Sequence, residues 1–183
     1  MDNQEQKLLA IVLDLFSSDF AEKALLRGGM VLKVMGSSRY TNDLDYLFVP
    51  YKSKNEITHQ ILTCLKKIEG SNVSYALNSK CLRVILSLNG ASIQIEAKVA
   101  IKVRSAVIST KLFSPQFNLP KRLIHIVDHS VSMANKLAAW NERRLARDLY
   151  DIWFFIQMQI TPDTETLTIR LRKPAYSKLV KKE

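Results

Sequence analysis

Cysteine is scarce in this chain: Cys64 and Cys81 are the only two among 183 residues. Two isolated thiols exclude a disulfide framework and a cysteine-rich zinc site. They read as reduced thiols of a cytoplasmic protein, with a single intramolecular bridge as the alternative. Long apolar runs are missing too, and none reaches the ~18 residues a membrane span requires. The start, MDNQEQK, lacks the basic opening of a secretory signal. His59, His125 and His129 have no Cys or His at ligand spacing, so zinc is not expected. The chain has no G-x-S-x-G elbow and no Cys/His/Asn order of a hydrolase. Signatures of RRM, KH or zinc-finger modules are lacking as well. Repeats and low-complexity tracts are absent.

What the sequence does hold is a globular composition, 47% hydrophobic, and an excess of positive charge. Lys plus Arg number 27 against 17 Asp plus Glu, a formal net charge of +10. The excess gathers toward the C-terminus in Arg170, Arg172, Lys173, Lys178, Lys181 and Lys182. Such a run attracts a polyanion such as RNA with strong salt dependence, or else merely solubilises the chain.

Apolar spacing predicts an amphipathic helix over residues 5–16 and a short one over 19–26, running into Gly28-Gly29. A further helical segment follows and closes at Gly36. The segment DLDYLFV (43–49) is rich in β formers and stops at Pro50, which predicts a strand. Residues 53–69 read as a helix. Strands follow near 73–77, 82–88 and 92–99, with the hairpin dipeptide Asn89-Gly90 between the last two. A strand over 103–109 is weaker, and 129–158 reads as two helices broken near Asn141-Glu142. The expected fold is a mixed α/β (α+β) sheet layered with helices. The expected divisions are a core over 1–118, a helical region over 119–160 and a basic tail over 161–183.

Chemistry concentrates in LRGGMVLKVMGSSRYTNDLDYLFV, residues 26–49. Asp43 and Asp45 stand two apart on the predicted strand, so both carboxylates project from one face. Like charges so close call for a cation, and oxygen ligands of this kind suit Mg²⁺ shared with substrate phosphates. Gly28-Gly29 lets the backbone approach a phosphate at the start of a helix. In SIQIEAKV, Glu96 alternates with core-facing isoleucines. On a neighbouring strand it would complete three carboxylates for a two-metal in-line displacement, as metal ligand or base.

In order along the chain, Gly28-Gly29, Arg39-Tyr40-Thr41-Asn42-Asp43-Leu44-Asp45, Glu96 and KLAAWNERRLARDLYDIW (136–153) resemble the AbiEii/AbiGii nucleotidyltransferase toxins of type IV toxin–antitoxin and abortive-infection systems. The resemblance covers about residues 22–156. It implies a polymerase-β-like fold, Mg²⁺ dependence and transfer of a nucleoside monophosphate from an NTP, in some relatives to tRNA. It also implies an antitoxin encoded nearby. By position, Gly28 and Gly29 match the phosphate-binding turn, and Asp43 and Asp45 match the metal pair. Lys136 matches a lysine that meets triphosphate oxygens, and Asp148 an aspartate that acts as base or orients a cation. Ser37, Ser38 and Arg39 are counted with the nucleotide-binding residues.

The family places Thr or Ser where this chain has Met30, so Met30→Thr is expected to restore a phosphate contact, with Ser37 and Ser38 as substitutes meanwhile. A degenerate member that binds nucleotide or RNA without chemistry is the alternative. Paired at i,i+4, Arg144 with Asp148 and Arg147 with Asp151 would instead be simple helix support. Tyr150, Trp153 and Phe154 are expected in the core.

Overall fold

The computed structural model describes residues 3–171. The chain divides into two compact units, one ending at Val127 and the other starting at Asp128.

In the first unit, a mixed sheet carries the architecture. Its strands are β1 (Ala24–Arg27), β2 (Asp43–Phe48), β3 (Asn72–Leu77), β4 (Leu82–Leu88), β5 (Ala91–Val99), β6 (Ser105–Ser109) and β7 (Leu123–Val127). They line up in the order β3-β4-β5-β2-β1-β7-β6. Strand β2 sits at the centre, parallel to β5 and antiparallel to β1. Alternation along β2 sorts its side chains: Leu44, Tyr46 and Phe48 are buried, while Asp43, Asp45 and Leu47 are only partly so. One face of the strand therefore belongs to the core and the other carries the carboxylates.

Three helices fill the core side: α1 (Asn3–Asp19), α2 (Gly29–Val34) and α3 (Lys54–Leu65). Helix α1 presents Leu9, Leu13 and Phe16 at helical spacing. Phe16 meets Tyr46 and Phe48 at ring-centroid distances of 5.0 and 6.2 Å. Ser53 caps α3 with a reciprocal box, accepting from backbone N–H groups while Glu56 reaches back to its own N–H. At Asn89-Gly90 both residues have positive φ, as a tight hairpin requires. Cys64 and Cys81 are both buried free thiols.

Two strands depart from the sequence expectation. Where a short helix over 19–26 is expected, α1 runs to Asp19, Ala21–Lys23 make a single 3₁₀ turn and β1 follows. LIHIV forms β7 ahead of the helices expected from 129, where no strand is expected. Short apolar runs fit either state, and here pairing decides: β1 lies between β2 and β7.

The second unit consists of α4 (His129–Arg143), α5 (Ala146–Gln157) and α6 (Thr164–Leu171). Asp128 caps α4 by accepting from Ser130 N–H at 2.9 Å. Helix α4 ends where Arg144 turns left-handed with φ 52°, beyond the break expected at Asn141-Glu142. Of the residues expected in a basic tail, Arg170 belongs to α6 and donates to Glu142. Arg172, Lys173, Lys178, Lys181 and Lys182 lie outside the described residues. Among the described residues no helix is long and apolar enough to cross a membrane.

Candidate active site

Register brings the first-unit candidates onto one face of the sheet. Asp45 stands opposite Arg27 on β1 and opposite Glu96 on β5, and Glu96 stands opposite Arg83 on β4. Directly paired residues share a face, so Arg27, Asp45, Glu96 and Arg83 form one row across four strands. Asp43 lies about 7 Å along β2 from Asp45 and is paired with Gln94.

Both glycines of the turn owe their place to this site. A Cβ on Gly28 would overlap Asp45 Oδ2, and one on Gly29 would overlap the Arg39 guanidinium. Gly28 also has positive φ, which disfavours any side chain. The double glycine thus seats an anion and a cation side by side. Helix α2 has only six residues, and Arg39 is the cation beside its first residue, Gly29. Just before β2, Gln6 on α1 is buried and donates from Nε2 to Thr41 O at 3.2 Å, while Tyr40 donates to Glu5 at 3.0 Å. These two bonds hold the segment that delivers Asp43. The signal for Gln6 is a polar residue at a core-facing helical position.

Glu96 is already engaged. Its Oε1 accepts from Arg83 Nη2 at 2.9 Å and from Gln94 Nε2 at 3.2 Å. Among the described residues, no group of three His, Cys, Asp or Glu is arranged to hold a metal ion. The structure brings Glu96 into register with Asp45 but turns one of its oxygens toward a guanidinium. Asp43 and Asp45 fit an ion held jointly with substrate phosphates, since Mg²⁺ usually takes only one or two protein carboxylates. Arg83 was legible in principle: a two-residue turn at Asn89-Gly90 sets Leu88 opposite Ala91, and counting outward puts Arg83 opposite Glu96.

Met30 is not where the resemblance would use it. Its side chain is fully buried in the core cluster with Val31, Leu44 and Ile95. Met30→Thr should therefore bring no gain in nucleotide affinity. It should instead lower stability by about 2–5 kcal/mol, the usual cost of emptying a buried methionine site, as chemical denaturation would measure. Ser37 is buried, with Oγ accepting from Arg39 N–H at 3.2 Å, and Ser38 is exposed.

In the second unit, Lys136 and Asp148 meet in one buried cluster that sequence spacing did not foresee. Asp148 is bound by Arg143 through two bonds, Nε to Oδ2 at 2.6 Å and Nη2 to Oδ1 at 2.7 Å. Lys136 Nζ lies 2.5 Å from Asp151 Oδ2 and 3.4 Å from Asp148 Oδ1. Both aspartates are fully buried. Burial raises the Asp148 pKa, but the Arg143 bonds and the charges of Lys136 and Arg143 outweigh it and hold the carboxyl below its ordinary range.

Arg144 belongs to the turn between α4 and α5, so the helical i,i+4 pairing expected with Asp148 does not apply. It lies over the Trp140 ring at 5.5 Å. The inward positions of α5 are Asp148, Asp151, Ile152 and Phe155. This spacing turns Trp153, expected in the core, half out to solvent. Tyr150 and Phe154 are partly buried.

Solved structures with the same fold include an antigenic nucleotidyltransferase-like protein from Paracoccidioides brasiliensis. It is 15% identical, with a TM-score of 0.58, over 94% of this chain and 88% of that one. JHP933 from Helicobacter pylori is also 15% identical, with a TM-score of 0.58, over 86% and 68% respectively. No curated protein matches the chain. The family model described as nucleotidyl transferase AbiEii toxin, type IV TA system, matches residues 11–177. With a nucleotidyltransferase-like sheet presenting Asp43 and Asp45 beside a double glycine, the chain belongs to the AbiEii nucleotidyltransferase family.

Proposed function

We propose that this chain transfers a nucleoside monophosphate from an NTP to an acceptor, tRNA or another RNA, with Mg²⁺, as the toxin of a type IV toxin–antitoxin or abortive-infection system. The observation that carries the reading is the seat of Asp45 on Gly28, with Asp43 on the same face and Arg39 over Gly29. Asp43 and Asp45 hold the ion, which when bound supplies charge neutralisation at the phosphates undergoing displacement. Arg39 orients the polyphosphate and offsets the charge that develops on the departing pyrophosphate. Substitution at phosphorus needs the acceptor hydroxyl to lose its proton, and Glu96 is the carboxylate in register for that role. To accept the proton, Glu96 must present an oxygen not already bonded to Arg83.

Asp148 does not fit a general base, because both of its oxygens take guanidinium bonds. It orients cations instead, and with Asp151 it fixes the ammonium of Lys136. An antitoxin and a cytoplasmic setting follow from the same family reading.

Incubation with each labelled NTP, Mg²⁺ and total RNA tests the proposal. Label should enter RNA with one preferred NTP and should fail to do so when the metal is chelated. NTP binding without incorporation into any RNA would favour the non-catalytic alternative.

A further inference from the structure

We propose that the groove lined by Lys80, Arg83 and Lys98 on the first unit binds the phosphate chain of a polynucleotide. The groove is bounded by the segment Asn78–Cys81, by Arg83 on β4 and by Glu96 and Lys98 on β5. Three cations face it against a single carboxylate, and that carboxylate is already paired with Arg83 at 2.9 Å. Among the described residues Lys80 and Lys98 form no ion pair, so their charges are available to a ligand.

Hydrogen bonds brace the Asn78–Cys81 wall. Asn78 Oδ1 accepts from both Lys80 N–H and Cys81 N–H at 2.9 Å. Lys54, reaching across from α3, donates from Nζ to Asn78 O at 2.7 Å and to Ser79 O at 2.8 Å. Cations on a braced segment and on paired strands lose less entropy on binding than cations on a loose loop.

Position identifies the class of ligand. Glu96 lies opposite Asp45, and Arg83 lies opposite Glu96. With strands about 4.8 Å apart, the Arg83 backbone is roughly 10 Å from that of Asp45 on the same face. The cations stand at three points around the groove, Lys80 on the Asn78–Cys81 segment, Arg83 on β4 and Lys98 on β5. A chain of phosphates spans Lys80, Arg83 and Lys98 together and continues toward Asp43 and Asp45. The triphosphate of an NTP shares this chemistry, but Arg39 at the glycine turn already serves it. A phosphodiester backbone is the occupant left for the groove. The proposal rests on the transfer reaction above only in calling that occupant the acceptor.

The test uses the whole chain and a labelled single-stranded RNA, titrated at several salt concentrations, with NTP affinity measured in parallel. Lys80→Gln/Lys98→Gln should weaken RNA binding about tenfold or more. It should flatten the log–log salt slope by about 1.4, the value for two lost contacts to a single strand. NTP affinity should stay within about twofold. Lys111→Gln/Lys121→Gln removes the same charge from exposed positions elsewhere on this unit and should change RNA affinity far less. Equal losses in both pairs would overturn the groove, as would unchanged RNA binding or no RNA binding by the parent chain. A loss confined to NTP would reassign the groove to the triphosphate and overturn it as an acceptor site. Because these are binding measurements, a parent chain that binds RNA here yet transfers nothing would defeat the proposed reaction and leave the groove standing.

Discussion

Asp45→Asn should abolish nucleotidyl transfer, with a loss of about a thousandfold or more, while the thermal unfolding temperature stays within a few degrees of the parent. Metal-ion charge stabilisation in a phosphoryl displacement amounts to several kcal/mol. A barrier change of about 1.4 kcal/mol is tenfold in rate. Asp45 is only partly buried, on the polar face of β2, so an isosteric amide leaves the core untouched. Asp43→Asn should behave alike, because the two carboxylates share a face. Gly28→Ala should reach the same end from the backbone side. Its Cβ would collide with the Asp45 carboxylate. The positive φ at Gly28 belongs to a region almost reserved for glycine, and holding a side chain there costs about 1–3 kcal/mol. A variant with Asp45→Asn that still transferred nucleotide in Mg²⁺ would remove the carboxylate pair from the mechanism.

The second large effect concerns Lys136. Lys136→Met should destabilise the helical unit by about 3–5 kcal/mol, since it strips the ammonium from two fully buried aspartates. Asp151 would lose the partner 2.5 Å from its Oδ2. The cluster also predicts acid sensitivity. Asp148 has a pKa held below its ordinary value of 3.8. Its ionised form therefore contributes stability above that value, and the contribution is lost as pH falls through the lower folded pKa. Chemical denaturation at pH 7 and near pH 3 would measure both effects. Lys136→Met with stability within about 1 kcal/mol of the parent, but without activity, would make the lysine a phosphate contact that the carboxylates barely hold.

Local chemistry made much of this readable. The strand at 43–48, the Ser53 cap of α3 and the Asn89-Gly90 hairpin are all written in short stretches whose residues dictate their own geometry. The shared face of Asp43 and Asp45 and the turn at the double glycine were legible for the same reason. What the glycines accommodate was not, because Arg39 reaches Gly29 only once the intervening segment folds back. The four residues of β1 are ordinary helix formers that become a strand by pairing with β2 and β7. Arg143 meets Asp148 because the chain turns left-handed at Arg144, and no periodicity announces a turn at that residue. Met30 shows the limit of carrying a role over by position. A residue aligned with a phosphate-binding hydroxyl can still point into the core, and here it does.

The most direct measurement follows which phosphorus of the NTP reaches the acceptor. With the preferred NTP labelled at the α-phosphate, label should appear in RNA in step with one pyrophosphate released per nucleotide joined. With the same NTP labelled at the γ-phosphate, RNA should stay unlabelled and all label should leave in pyrophosphate. Label passing from the γ-position to the acceptor, or released as single phosphate, would contradict nucleotidyl transfer at Asp43 and Asp45.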